Sequence, residues 1–366
     1  MKPLFSRVAI LGVGMIGGSF GKALLERGLA GDVVGYDPKD GVLSKACVLG
    51  AVTEAAETVA AAVHGCDLVV LAAPVLAAQK LLEELAPHLS PGAIVTDVCS
   101  TKTRITRRAA EVLPLNVSFV GGHPMAGSDK AGVEALDANL FENAVYVLCG
   151  SRSKALEAMI KLVRGLGALP VIFSPARHDS LVAAVSHLPH LAAAALVQAA
   201  FRPEDNDELL ILAASGFADT TRVALGSPEM WRDICLSNRE HLFLMLERLQ
   251  AELNALKIFI SEGEGEKLLT YFQKSREDRL QLPSREKGIL PPIFNLFVYV
   301  ADRPGIIGEV AGLVGESGVN IAEIELLRVR EEEGGPLRLG FARKRDRRLA
   351  AGVLQDAGYR VEWQED

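Results

Sequence analysis

The sequence predicts an α/β protein: a doubly wound parallel sheet first, an all-helical region next, and a small βαββαβ unit last. Three observations carry that expectation. Short β-branched runs alternate with helical stretches over residues 1–174, the pattern of strands joined by crossover helices. A Gly-rich turn, Gly12-Val13-Gly14-Met15-Ile16-Gly17, stands where the first run passes into the first helix. Residues 293–366 repeat the order strand, helix, strand, strand, helix, strand after a polar, Pro-containing break.

In order along the chain, residues 8–12, 33–37, 68–73, 94–98, 119–121 and 145–149 read as buried strands, with 171–173 the last. Ala- and Leu-rich stretches at 20–27, 76–85 and 102–112 carry the helical period between them. From 176 to 280 the pattern is helical nearly throughout. There Leu242, Leu246, Leu249, Leu253, Leu256 and Phe259 form a stripe wide enough to need a partner, either another helix of this region or the same region of a second subunit. Residues 281–292 read as a linker. Beyond it, 294–300, 306–316, 320–328, 337–341, 346–356 and 360–363 fit a ferredoxin-like unit. The expected domains are therefore 1–174, 175–282 and 293–366. The basic run at 343–348 reads as a solvated turn and helix start.

Composition narrows the function. A chain of 366 residues suggests two or three domains, and 49% hydrophobic with 23% charged residues permits a sizeable core. A formal charge of −7 and only 5% aromatics argue against a nucleic-acid partner, which needs basic patches or stacking platforms. The five cysteines, Cys47, Cys66, Cys99, Cys149 and Cys235, are odd in number and form no Cys-x-x-Cys pair, so they read as reduced thiols with no zinc spacing. No metal site is expected. The N-terminus lacks the pattern of a secretory leader, and no run approaches the roughly 18 apolar residues of a membrane span. A cytoplasmic protein with no membrane partner is the expectation.

The glycine turn is the signature of a Rossmann-type dinucleotide site. Gly12 makes the tight turn, Gly14 lets the backbone approach a pyrophosphate, and Gly17 lets helix pack on strand. Met15 and Ile16 open the helix whose free N–H groups would face the phosphates. Asp37 ends the second run where a carboxylate meets the adenosine ribose; it favours NAD over NADP, with Lys39 and Lys45 keeping NADP open. Ala73 and Pro74 close the strand at 68–73, either against the cofactor or as an ordinary turn.

Three polar clusters follow. Ser100 and Thr101, after Asp97, either serve the site or cap the next helix. His123 lies in the Gly-rich stretch Gly121-Gly122-His123-Pro124-Met125-Ala126-Gly127-Ser128-Asp129-Lys130, read as a loop after a strand. His178-Asp179 and His187-Leu188-Pro189-His190 fall in the helical region, with Pro189 interrupting the local helix. Arg222 suits a carboxylate clamp or a helix-tying ion pair, and Arg232 beside Asp233 suits the pair. No Gly-x-Ser-x-Gly elbow or Walker lysine is present.

This ordered set closely resembles the prephenate dehydrogenases over about residues 6–280, and His123-Pro124-Met125-Ala126-Gly127-Ser128 is its most specific part. The terminal unit resembles an ACT domain through Asp302-Arg303-Pro304-Gly305 and Gly318-Val319-Asn320-Ile321. The resemblance implies NAD-dependent oxidative decarboxylation of prephenate to 4-hydroxyphenylpyruvate in tyrosine biosynthesis. It implies that His123 draws off the ring hydroxyl's proton and that Ser100 holds the same hydroxyl. Arg222 would pair a prephenate carboxylate, with His190 at the substrate site and His178 near it. Asp129, Asp219 and Trp231 would form or gate the pocket mouth; Asp129 stands where some relatives have Glu. The helical region would be a homodimerisation domain. Asp302, Gly305, Asn320 and Ile321 would bind tyrosine as a feedback inhibitor, although the same turn serves equally as a plain helix start. Arogenate dehydrogenase remains the nearest alternative, and a non-catalytic amino-acid sensor retaining NAD the alternative of another class.

Overall fold

A computed structural model describes residues 2–127, 132–201, 211–281, 294–301, 303–326 and 336–363. The chain forms two compact units, Met1–Ile289 and Leu290–Asp366. In the first, strands β1 (Phe5–Leu11), β2 (Ala30–Tyr36), β3 (Glu54–Ala55), β4 (Leu68–Leu71), β5 (Ile94–Asp97), β6 (Ser118–Pro124), β7 (Val145–Cys149) and β8 (Leu169–Ile172) make one sheet in the order 3-2-1-4-5-6-7-8. Helices α1 (Met15–Glu26), α2 (Val42–Val48), α3 (Val59–Val63), α4 (Val75–Leu85), α5 (Thr103–Val112) and α6 (Lys154–Gly165) cover it.

Side chains alternate across a strand, so a sheet covered on both faces must be apolar at every position. Val8 and Ile10 of β1 join Phe20 and Leu24 of α1 and Met159 and Leu162 of α6 in one core. Ala9 and Leu11 point to the other face, with Val59 of α3, Leu82 of α4 and Ile105 of α5. The two-residue edge strand β3, exposed and partly acidic, has no apolar run to announce it and is held by pairing with Val34 and Gly35.

The sheet departs from the all-parallel expectation at one seam. β6 and β7 are antiparallel, with His123 opposite Val147, and β7 then pairs β8 in parallel. A parallel neighbour needs a crossover connection, usually a helix. Between Pro124 and Val145 the described residues hold only a 3-10 turn, Val133–Ala135, so the chain returns antiparallel. β6 also runs through Gly121, Gly122 and His123, which places His123 on a strand rather than in the expected loop.

The helical part contains α7 (Pro175–Val182), a π-helical turn Ala183–His187, α8 (Leu188–Ala200), α9 (Ser215–Thr221), a 3-10 turn Arg222–Leu225, α10 (Pro228–Ser237), α11 (Arg239–Ser261) and α12 (Gly265–Leu280). Pro189 does not interrupt its helix. It lies second in α8, and the widened π turn directly before it accommodates the missing N–H while the run stays continuous. That run, Pro175–Ala200, has 26 residues and is long and apolar enough by length and composition alone to cross a membrane, although, as expected, it holds no unbroken stretch of 18 apolar residues. It carries buried His178, Asp179, His187 and His190, all turned toward the rest of this unit. Of the apolar stripe on α11, Leu242 is buried while Leu246 and Leu253 are exposed, beside exposed Phe243, Ile258 and Ile260.

The second unit contains β9 (Phe294–Tyr299), α13 (Ile306–Glu316), β10 (Glu323–Leu326), β11 (Pro336–Phe341), α14 (Lys344–Asp356) and β12 (Arg360–Glu362). Its sheet is antiparallel in the order β10-β11-β9-β12, the ferredoxin-like arrangement. Leu296, Val298, Val310, Val314, Leu339 and Leu354 fill its core. Arg347, expected in a solvated turn, is buried instead, its guanidinium over the rings of Phe294 and Trp363. The expected linker lies almost wholly outside the described residues.

Candidate active site

The dinucleotide turn has the geometry its glycines suggest. Gly12 has a φ of +99°, and a side chain there would meet the Ala72 carbonyl oxygen at 2.7 Å. A methyl on Gly17 would lie 2.0 Å from the Gly12 carbonyl oxygen, whereas one on Gly14 meets nothing within 4 Å. Gly14 precedes α1 with no side-chain cap, so the helix presents free N–H groups to that open space. Asp37 accepts the Val13 N–H at 2.9 Å through one carboxylate oxygen and the Lys39 N–H at 2.9 Å through the other, which ties it to the turn. Ala73 and Pro74 lie between β4 and α4, one residue past the strand's end, and Met15 and Ile16 begin α1 half-buried.

Parallel strands bring β1, β4, β5 and β6 to one carboxyl edge, so His123 stands on the same edge as the glycine turn. Beneath His123 lies a wholly buried ion pair, Lys102 with Asp97. The Lys102 ammonium also donates to the Gly122 carbonyl at 2.6 Å, and Asp97 accepts the N–H groups of Gly122 and Cys99, each at 3.1 Å. Gly122 has no room for a side chain, since a methyl would sit 2.5 Å from the Asp97 carbonyl oxygen.

The His123 imidazole meets His178 at 2.8 Å between Nδ1 and Nε2, and His178 Nδ1 is 2.8 Å from Asp179 Oδ1. Asp179 also accepts the N–H groups of Lys102 at 2.7 Å and Thr103 at 2.8 Å. Burial opposes ionisation of Asp179, but these hydrogen bonds prevail and hold its carboxyl below the ordinary range. Burial pushes the His123 imidazole well below the ordinary histidine value, with His178, Lys102 and His187 adding to the effect. His123 is thus uncharged at neutral pH.

A second histidine pair flanks this group. His190 stacks on Trp231 with ring centroids 3.5 Å apart, and His187 meets the same indole edge-on at 5.9 Å. Gly226 is pressed against both; a methyl there would lie 2.5 Å from Trp231 Nε1 and 3.2 Å from His190 Cε1. Asn238 donates to the Asp179 carbonyl at 2.9 Å and faces His187 Nδ1 at 3.2 Å. Burial depresses His190 and lowers His187 to about 4. The Nδ1 of His190 is buried with no hydrogen-bond partner among the described residues.

A dinucleotide turn and a neutral, half-buried histidine share one sheet edge, a combination found in known proteins. A prephenate dehydrogenase nucleotide-binding domain matches residues 20–172, a prephenate dehydrogenase dimerization domain 174–274, and an ACT domain 294–349. The prephenate dehydrogenase of Bacillus subtilis (strain 168) is 35% identical over 360 residues, 97% of this chain and 97% of its own. The chain belongs to the prephenate dehydrogenase family. It is an oxidoreductase built on an NAD-binding Rossmann domain and ending in an ACT domain. The Aquifex aeolicus prephenate dehydrogenase, crystallised with hydroxyphenyl propionate and NAD+, is 34% identical with a TM-score of 0.70, covering 76% of this chain and 98% of that one. Synechocystis arogenate dehydrogenase is 34% identical with a TM-score of 0.66, covering 75% and 98%.

Ser100 is half-buried between β5 and α5 and does not cap α5, because Asp179 takes the helix's first N–H groups. Thr101 donates to Ser237 at 2.9 Å. Arg222 and Asp219 are exposed, at the start of the 3-10 turn and in α9. Arg232 pairs with Asp233 at 2.7 Å, as its sequence neighbour suggests. His178 stands one step behind His123 with almost no exposed surface. Gly305 precedes α13 at φ +87°, Asn320 is exposed and Ile321 packs against the small unit's core. Asp129 and Asp302 lie outside the described residues. Sequence reading missed Asn238, which no motif marks, and did not give Asp97, Lys102, Asp179 or His187 a role, although all four stand in the polar clusters it singled out.

Proposed function

We propose that the chain oxidises and decarboxylates prephenate to 4-hydroxyphenylpyruvate, using NAD, in tyrosine biosynthesis. One observation carries the reading: His123 is half-buried and neutral, on the same sheet edge as a dinucleotide turn whose Gly14 leaves room for a pyrophosphate. Gly12, Gly14, Met15, Ile16 and Gly17 would hold the pyrophosphate, Asp37 the adenosine ribose, and Ala73 and Pro74 the face behind it. The negative charge of Asp37 disfavours a 2′-phosphate and hence NADP. When bound, NAD supplies the acceptor for the hydride leaving the carbinol carbon.

The chain's own residues manage one proton. The substrate hydroxyl becomes a carbonyl as hydride departs, so His123 accepts its proton, with Ser100 holding the same oxygen. Loss of the ring carboxylate as CO2 returns the bond's electron pair to the ring and makes it aromatic. The phenolic oxygen then takes the proton back from His123, so no net proton is released. A base so placed contributes about 10²–10⁴-fold. Arg222 would pair a substrate carboxylate, with His190, stacked on Trp231, at the substrate site and Asp129, Asp219 and Trp231 at its mouth.

Arogenate is the second reading, supported by the Synechocystis relative's name. The exposed apolar side chains of α11 support a homodimer through the helical region. Gly305, Asn320 and Ile321, with Asp302, would bind tyrosine as inhibitor. The test is NADH formation from NAD with prephenate and with arogenate, each with and without tyrosine. Prephenate turnover suppressed by tyrosine is expected. Turnover of arogenate alone replaces the substrate, and no turnover of either, despite NAD binding, overturns the enzymatic reading in favour of a sensor.

A further inference from the structure

We propose that His178 and Asp179 are positioning residues that hold His123 in a single tautomer, protonated at Nδ1 and bare at Nε2. The inference rests on the reading of His123 as the base and adds what makes it one. A neutral imidazole has two tautomers, and only the nitrogen without hydrogen can accept the substrate's proton. Which nitrogen that is depends on the hydrogen bond made by the other.

With His178 uncharged, the bonds leave one assignment. Asp179 is a carboxylate, kept so by the Lys102 and Thr103 N–H groups, and it only accepts. His178 Nδ1, 2.8 Å away, must therefore donate to it. The Nε2 of a neutral His178 then carries a lone pair, so its 2.8 Å contact requires His123 Nδ1 to donate. The remaining nitrogen of His123, Nε2, is left as the acceptor. Charged and titratable groups bearing on His123 come from every packed element: Lys102 after β5, His178 and Asp179 on α7, and His187 from the π turn.

Asp179 has a second function that binds this chain of contacts to the sheet. Its carboxylate takes the first N–H groups of α5, a favourable place for negative charge. Asn238 holds its backbone from the other side through the carbonyl oxygen. The histidine on β6 is thus oriented by an anion anchored at the N-terminus of a Rossmann helix. The residue expected beside the substrate, His178, acts through His123 instead.

The test uses the full chain and three substitutions. His178→Leu removes both ring hydrogen bonds but leaves the cap of α5. His178→Gln keeps an acceptor for His123 and a donor for Asp179 without titrating. With thermal midpoints measured alongside, His178→Leu is expected to lower kcat about 10²-fold or more while the Kd for NAD stays within about two-fold, and His178→Gln to recover about ten-fold of that loss. In protein labelled with 15N histidine, the His123 signals, assigned by their disappearance in His123→Asn, should show a bare Nε2, and should become a tautomer mixture in His178→Leu. A folded His178→Leu protein with unchanged kcat, or a protonated Nε2 in the native protein, overturns the inference. Unchanged turnover in His123→Asn instead removes His123 as the base, so the two failures are distinguishable.

Discussion

Lys102 and Asp97 form an ion pair that solvent does not reach on either side. Removing two charges from water is costly, and such a pair persists only when further hydrogen bonds complete it. The Gly122 carbonyl completes Lys102, and the Gly122 and Cys99 N–H groups complete Asp97. The pair thereby fastens the end of β5 to β6 one residue before His123. Lys102→Met strands the carboxylate and should cost about 3–5 kcal/mol of stability, read from urea unfolding. Adding Asp97→Leu should not restore it, because two buried N–H groups then lose their acceptor. Recovery in the double variant would show that the charges, not the lattice of bonds, set the cost.

The glycines of the first turn separate folding from binding. Gly14 has a φ of −79°, which any residue adopts, and open space beyond it. Gly14→Val should keep the thermal midpoint while weakening NAD at least about ten-fold, since its side chain occupies the approach of the pyrophosphate. Gly17→Ala meets the Gly12 carbonyl oxygen at 2.0 Å and should lower the midpoint itself. Calorimetric titration with NAD and thermal unfolding of both variants check the division. Equal losses of stability would contradict it.

The dinucleotide half was legible because its chemistry is local: glycines and Asp37 act within one β-turn-α-β stretch. β6 was less so. Gly121, Gly122, His123 and Pro124 have the composition of a turn, yet they extend a strand because the Asp97 backbone leaves room only for glycine at 122 and β7 supplies a partner. The link between His123 and His178 spans 55 positions and depends on how α7 packs against the start of α5. Each residue was visible in a polar cluster; their joining was not, since no periodicity encodes a contact between two elements so far apart. Asn238 stands in no motif, and only its bonds to Asp179 and His187 give it meaning.

Arg222 lies exposed at the start of a 3-10 turn. If it clamps a prephenate carboxylate, Arg222→Ala should cost one charge-assisted interaction, about 1.5–3 kcal/mol, and raise KM about 10–150-fold. Steady-state kinetics at saturating NAD measures this. A large fall in kcat at constant KM would place Arg222 with the reacting atoms instead.

His187 makes stability depend on pH in a direction that can be stated. Burial lowers it to about 4 in the folded chain, against an ordinary value of 6.5 when unfolded. Between those values the unfolded chain binds a proton that the native chain refuses, so stability is fully present above pH 6.5 and falls as pH drops toward 4. One such group removes up to about 3 kcal/mol across that window. His187→Gln can still face Asn238 but cannot titrate, so its unfolding free energy should decline less steeply, by about one proton, between pH 6.5 and 4.5. Urea unfolding of both proteins across that range is the measurement. His123 and His190 are also depressed and remain in the variant, so a residual slope is expected. Parallel slopes in the two proteins would mean that His187 titrates in the folded chain as it does in water, and that the space between Asn238 and Trp231 is wet.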